Sequence, residues 1–393
     1  MLVWHAFHRP AAAERSLTTE AVWGLWWPLL AASVVLVGRA WCGVCPYALI
    51  VRIGERWSRF RRVPRALSRL LRWMPLTGII VLGTVFLALR LESDAPMTGA
   101  LLIGFGVAAA GSALTARGRV FCRQICPVGA MLAAYAPIST LGIGMGPQST
   151  LAERRRAAQA CPLGTAPFAN DCDRACHVCG ACFQALPRDR IATELRPLGA
   201  GLRPRRSRSL TVPEALTPIA LLGILLLDSV RMTPWFAGYV QVAAPLLGGF
   251  RLAVVALAVV ALVTVFAGVT LMARTTGYGL SRASKAITPV AFALALAMSI
   301  HHLYLGAGGS LRNISLELGL GIPGHIPSSA PFTIDPVLKA IELTIIAAGL
   351  LLSLRVLGVQ RPVWRARLAR VAPAALPAVT GMVLYLQPMS AAC

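Results

Sequence analysis

Nine of the ten cysteines in this 393-residue chain fall into two groups whose spacing could do chemistry. Cys176, Cys179 and Cys182 form CxxCxxC within ACPLGTAPFANDCDRACHVCGACFQALPR. Three thiolates inside seven residues can ligate separate irons of one cubane, whereas structural zinc sites use two separated pairs. The triplet therefore points to an iron–sulfur cluster, with zinc as the alternative. Two residues compete for the fourth position. Cys161 is followed by Pro162, like the closing Cys-Pro of a bacterial ferredoxin motif. Cys172 offers CxxxC with Cys176. The proline favours Cys161, so the expectation is one [4Fe-4S] cluster held by four of Cys161, Cys172, Cys176, Cys179 and Cys182. Asp171, Asp173 and Arg174 read as solvated turn residues, and His177 as a surface residue beside a ligand.

The second group lies in an internal repeat. GRAWCGVCPYALI, beginning at Gly38, returns as GRVFCRQICPVGAM, beginning at Gly118. Each copy places Pro directly after its second cysteine, at Pro46 and Pro127, followed by an apolar run, which is how a helix with Pro in its first turn begins. Cys42, Cys45, Cys122 and Cys126 are thus expected at helix N-termini at one membrane depth. There the dipole and free backbone N–H groups favour thiolate and the negative charge of a second cluster.

These motifs need a scaffold, and composition says what kind. The chain is 56% hydrophobic and 13% charged, where soluble domains carry about 25% charged residues. Apolar runs long enough to cross a bilayer occur near 21–38, 73–90, 99–115, 212–230, 252–272, 286–304, 336–354 and 371–388. The fold class is therefore an all-α polytopic membrane protein of about eight transmembrane helices, with a small cytoplasmic ferredoxin-like insert. With the N-terminus outside, 31 of the 38 Lys and Arg residues fall on the inner side. The net charge of +23 is then a positive-inside signal and a match to anionic lipid, and nucleic-acid binding is set aside. That topology puts the cysteines on the cytoplasmic side of a bacterial inner membrane, where disulfides are disfavoured. Two further apolar stretches, 127–145 and 233–250, would invert the arginine-rich segments if either spanned, so both read as re-entrant or interfacial. The first 20 residues lack a basic region leading to a small-residue cleavage site, so the first span is expected to stay as an anchor.

The organisation expected is an outer segment 1–20, a membrane domain 21–150 with the two Cys-Pro units, a cluster segment 151–208 and a second membrane domain 209–393. Basic residues in 52–72 form an amphipathic stretch for the inner leaflet, or alternatively a dock for an acidic soluble electron donor. Trp23, Trp26 and Trp27 read as an aromatic belt. In the second half, Asp228 with Arg231 and Lys339 with Glu342 are spaced to pair on one helix face, and Glu342 is a candidate proton acceptor for a quinol. His5, His8, His301, His302 and His325 all fall on the outer side. They read as interfacial hydrogen-bonding groups, with a copper or quinone-headgroup site as the sharper alternative. Adjacent His301 and His302 point about 100° apart and cannot clamp one iron together, so haem is not expected.

Over residues 20–208 the chain resembles the membrane polyferredoxins with paired CxxxCP motifs, a family that includes NapH-type quinol dehydrogenase subunits, NosR-type proteins and methylamine-utilisation relatives. Cys122 to Pro127 matches CxxxCP, Cys42 to Pro46 is one residue short, and only one ferredoxin cluster is recoverable rather than two. The resemblance implies electron transfer between a cytoplasmic-side donor or the quinone pool and a partner redox enzyme. It implies an oxidoreductase subunit rather than a stand-alone enzyme. The alternatives are a copper-centre assembly factor using cluster-derived electrons and a cluster-based redox sensor.

Overall fold

The computed structural model describes residues 2–8, 16–60, 63–145, 149–163, 172–186, 190–202, 209–275, 277, 279–318 and 336–357. In chain order the helices used below are α1 Leu17–Val37, α2 Trp41–Val44, α3 Pro46–Gly54, α4 Met74–Leu89, α5 Ala95–Thr115, α6 Pro127–Tyr135, α7 Leu151–Ala160, α8 Cys172–Ala175, α9 Ala181–Ala185, α10 Val212–Arg231, α11 Pro234–Leu247, α12 Phe250–Thr275, α13 Leu280–Leu318 and α14 Pro336–Leu357.

Among the described residues six helices are long and apolar enough to cross a membrane: α1, α5, α10, α12, the Leu280–Tyr304 part of α13, and α14. A helix pairs most of its backbone groups within itself, as the hydrocarbon interior requires, and Pro218 and Pro289 interrupt that ladder within α10 and α13. The predicted span at 73–90 is α4, whose 16 residues reach about 24 Å. The one at 371–388 lies outside the described residues. The stretches expected not to span contain α6 and α11, of 9 and 14 residues, short of the roughly 20 a crossing takes.

α10 and α13 form the centre of the bundle. Their apolar windows are 67% and 72% buried, against 22% for α12. Small residues let the backbones approach: Ala283, Ala286, Ala291 and Ala297 are all buried in the main core with Ile219, Leu222 and Ile346. A Cβ added at Gly349 would stand 2.9 Å from the Pro289 carbonyl, so α14 meets α13 nearly backbone to backbone. Packing of this kind replaces the hydrophobic drive that is missing between helices in lipid.

The cluster segment is closed at its base by two antiparallel strands, β1 Leu141–Met145 and β2 Ile191–Leu195, with Leu141 opposite Leu195 and Met145 opposite Ile191. Arg196 N–H donates to the Thr140 carbonyl and Thr140 N–H to the Val35 carbonyl, which ties this clasp to the end of α1. Inside it, α7 opens with a capping box of Thr150 and Glu153. Ala157, Ile143, Leu186 and Ile191 form a small core of their own.

Candidate iron–sulfur site

Both Cys-Pro repeats fold alike. In each, the second cysteine takes the N-cap position of the following helix in extended backbone, Cys45 at φ −62°, ψ 132° and Cys126 at φ −64°, ψ 116°, with Pro at the first helical position. The repeats differ by one residue between the cysteines, and the helix absorbs it. The first copy uses the short helix α2, whereas the second, Phe121–Ile125, is a π-helical turn in which Cys126 N–H donates to the Phe121 carbonyl at 2.8 Å. A single π turn takes up an inserted residue without breaking the helix, so the second cysteine of CxxC and of CxxxC alike becomes the N-cap of the next helix.

The two copies are locked together. Tyr47 packs edge-on against Phe121 and Phe105, and its hydroxyl donates to the Leu102 carbonyl at 2.9 Å. Glu55, a residue that its sequence context leaves unremarkable, accepts from the backbone N–H of Gly118 at 3.0 Å and of Arg119 at 2.6 Å. These two hydrogen bonds hold the second copy's Gly-Arg in the left-handed region, φ +99° and +51°.

Cys42, Cys45, Cys122 and Cys126 are neighbours where the two copies meet. Their thiols lie near enough that Cys42, Cys122 and Cys45 each oppose ionisation of Cys126. Burial, not the helix ends, governs the protonation of Cys45, Cys122 and Cys126. It pushes the Cys122 thiol up to about 11 and the Cys126 thiol up to about 12, despite the Gly129 N–H that donates to Cys126 Sγ at 3.3 Å. Ligation by thiolate must therefore release protons, and the cluster's positive iron takes their place. Among the described residues no three His, Cys, Asp or Glu side chains stand close enough to hold a single metal ion. A four-iron cubane places each thiolate on a different iron, and four neighbouring cysteines, Cys122 buried and Cys42, Cys45 and Cys126 half-buried, with a backbone donor aimed at the Cys126 sulfur fit that group.

In the second set, Cys176, Cys179 and Cys182 share one loop and the start of α9. Burial raises the Cys182 thiol, and Cys176 and Cys179 add to it. Cys179 is exposed, while Cys161 and Cys176 are half-buried. The loop turns at Val178, φ +51°, and Gly180, φ +73°, with Val178 N–H donating to Cys176 Sγ at 3.4 Å. A left-handed residue between cysteines turns backbone N–H groups inward toward an anionic cluster. The choice between Cys161 and Cys172 stays open: Cys161 ends α7, and the side chain of Cys172 lies outside the described set.

The two cysteine sets lie against each other, which their spacing in sequence does not reveal. Helix α8 packs on α6, the helix that Cys126 begins. Arg39, only 4% exposed, donates to the Arg174 carbonyl at 2.5 Å and to the Cys122 carbonyl at 3.3 Å. His177 corrects its reading as a surface residue. It is 1% exposed, its backbone carbonyl would sit 2.8 Å from a Cβ at Gly43, and neither ring nitrogen has a hydrogen-bond partner among the described residues. Burial, reinforced by Arg39 and Arg119, pushes the imidazole down to about 2, so it is neutral. Arg174, expected to be a solvated turn residue, is buried here as well.

The histidines weighed for an outer-face metal are only partly described. His5 is buried in the N-terminal helix Leu2–His8, the side chain of His8 is not described, and His325 lies outside the described residues. His301 Nδ1 meets Glu342 Oε1 at 3.1 Å, so Glu342 has a histidine partner where its spacing pairs it with Lys339. Asp228 does pair with Arg231, at 3.3 Å, and Arg231 also holds Glu92 at 2.6 Å.

A family model described as a 4Fe-4S binding domain matches residues 19–64 and 97–141, the two segments that carry the Cys-Pro repeats. No curated protein and no solved structure matches the chain. The match supports an iron–sulfur, ferredoxin-type family, and together with six apolar helices it marks a membrane iron–sulfur redox protein.

Proposed function

We propose that this chain relays electrons, within the cytoplasmic membrane of a bacterium, between a cytoplasmic-side donor or the quinone pool and a partner redox enzyme. The observation that carries the reading is the seam at Arg39, Gly43 and His177, where two independent cysteine sets meet at one end of a helix bundle. Cys42, Cys45, Cys122 and Cys126 would hold one [4Fe-4S] cluster, and Cys176, Cys179 and Cys182 with Cys161 or Cys172 another. When bound, such clusters supply one-electron transfer at potentials set by their surroundings. The chain's own contribution is positional: Arg39 fixes the two sets relative to each other, Gly43 permits their close approach, and the buried core beneath excludes water. The cytoplasmic orientation is supported by the basic residues that flank both sets, 31 of 38 on that side of the predicted topology. Exposed Cys179 marks where a soluble donor or partner subunit would approach.

Anaerobic purification with iron and sulfide analysis and low-temperature EPR tests this. About eight irons per chain are expected from two cubanes, with Cys126→Ser and Cys179→Ser each removing about half. Stoichiometric zinc without acid-labile sulfide would overturn it.

A further inference from the structure

A cavity of about 140 Å³ lies between α1, α4, α6, α10 and α13. Trp23, Trp27, Phe86 and Phe292 wall it, and nearly all of its surface is apolar. From Phe292 to His302 along α13 it runs ten residues, about 15 Å by helical rise. One end is bounded by Pro127, Val128 and Tyr135, on the helix that starts at Cys126. The other ends at Glu92, Asp228 and His302.

The two polar ends are not equivalent. Glu92 and Asp228 are both compensated by Arg231, at 2.6 and 3.3 Å. Tyr135 is 2% exposed, and its hydroxyl has no hydrogen-bond partner among the described residues, although the ring is fixed edge-on against Phe292, centroids 5.2 Å apart. A buried hydroxyl left unsatisfied is costly, and such a group calls for an acceptor not supplied by the described residues. The acceptor must be lipid-soluble, because the cavity sits among membrane-crossing helices. It must be largely flat and apolar to fit between aromatic walls. A carbonyl oxygen on a ring meets those requirements, and the site's place beside Cys126 makes a redox-active ring the fitting occupant.

We infer that this cavity binds an isoprenoid quinone, its ring against Met131 and Phe292, one carbonyl oxygen accepting from Tyr135 Oη, and its first isoprene units along Trp27 and Phe86. The inference deepens the proposed exchange with the quinone pool by giving it a site. Binding itself does not depend on the clusters.

Titration of the detergent-purified protein with short-chain ubiquinone and menaquinone analogues, read by tryptophan fluorescence, tests it on the preparation used for iron analysis. Saturable quenching is expected, largely lost when both lining tryptophans are replaced, Trp23→Phe with Trp27→Phe. Tyr135→Phe, which keeps the ring, is expected to weaken binding about 5- to 10-fold, the worth of one hydrogen bond. Ala295→Trp, which fills the cavity, is expected to abolish it. Solvent extraction of the purified protein should yield bound quinone. Non-saturable quenching, a Tyr135→Phe variant that binds like the parent, or an extract holding phospholipid alone would overturn the inference. Iron and EPR signals retained in the same samples separate that failure from failure of the electron-transfer reading.

Discussion

At the scale of single residues, the chemistry turns on groups that touch both cysteine sets. Arg39 is a buried guanidinium that satisfies two backbone carbonyls, one from each set. Arg39→Met would leave both acceptors unpaired in a dry seam, at about 1–3 kcal/mol each. The expected result is release of residues 151–202 from the bundle, detected as faster limited proteolysis there with the membrane core intact. His177 poses a different problem, since a buried imidazole with two unpartnered nitrogens costs free energy unless something accepts its N–H. A sulfur of the adjacent cluster is the acceptor at hand, and hydrogen bonds to sulfur are one lever on cluster potential. His177→Leu, which keeps the volume and removes the N–H, is expected to lower the midpoint potential of one cluster in an EPR redox titration while iron content holds. An unchanged potential would reduce His177 to packing.

At the scale of elements, the repeated unit is a helix end, a turn bearing the first cysteine, and a new helix whose N-cap is the second. Pro46 and Pro127 make the new helix start legible in the sequence, because proline fits the first helical turn and little else in a helix. The extra residue in the second copy is not legible as harmless until its π turn is seen. Deleting Gln124 should convert this turn to the geometry of α2, and iron content is expected to stay near that of the parent. Deleting Val44 leaves CxC, too short for the same turn, and about four irons per chain are expected to be lost. Equal losses in both deletions would mean that the two copies are not interchangeable. The strand pair is another element the sequence conceals: β1 alternates Leu141, Ile143 and Met145 with Gly142 and Gly144, but it is five residues long at the end of an apolar run, and its pairing with β2 across the cluster segment is a tertiary choice.

At the scale of the whole molecule, α10 and the loop between α4 and α5 are joined through Arg231, 6% exposed, with Glu92 and Asp228 as partners. Removing one member of a buried ionic group leaves the others uncompensated. Because Glu92 is partly exposed, Arg231→Leu is expected to cost about 2–3 kcal/mol, measured as a fall in thermal stability in detergent and partly recovered by adding Glu92→Gln. The sequence alone determined the class of protein, since runs of apolar residues of bilayer length and cysteines at cluster spacing each have few physical uses. It also carried the repeat and the first-turn prolines. Asp228 with Arg231 was readable too, because helical spacing is local. What only the tertiary structure decided is long-range: Glu55 capping a loop 63 residues away, Glu342 meeting His301, the burial of His177, and the contact between the two cysteine sets through Arg39 and Gly43. Periodicity reports which face of an element is buried, but not which other element covers it. Partners far apart in the chain are set by packing shape and by the need to pair every buried polar group.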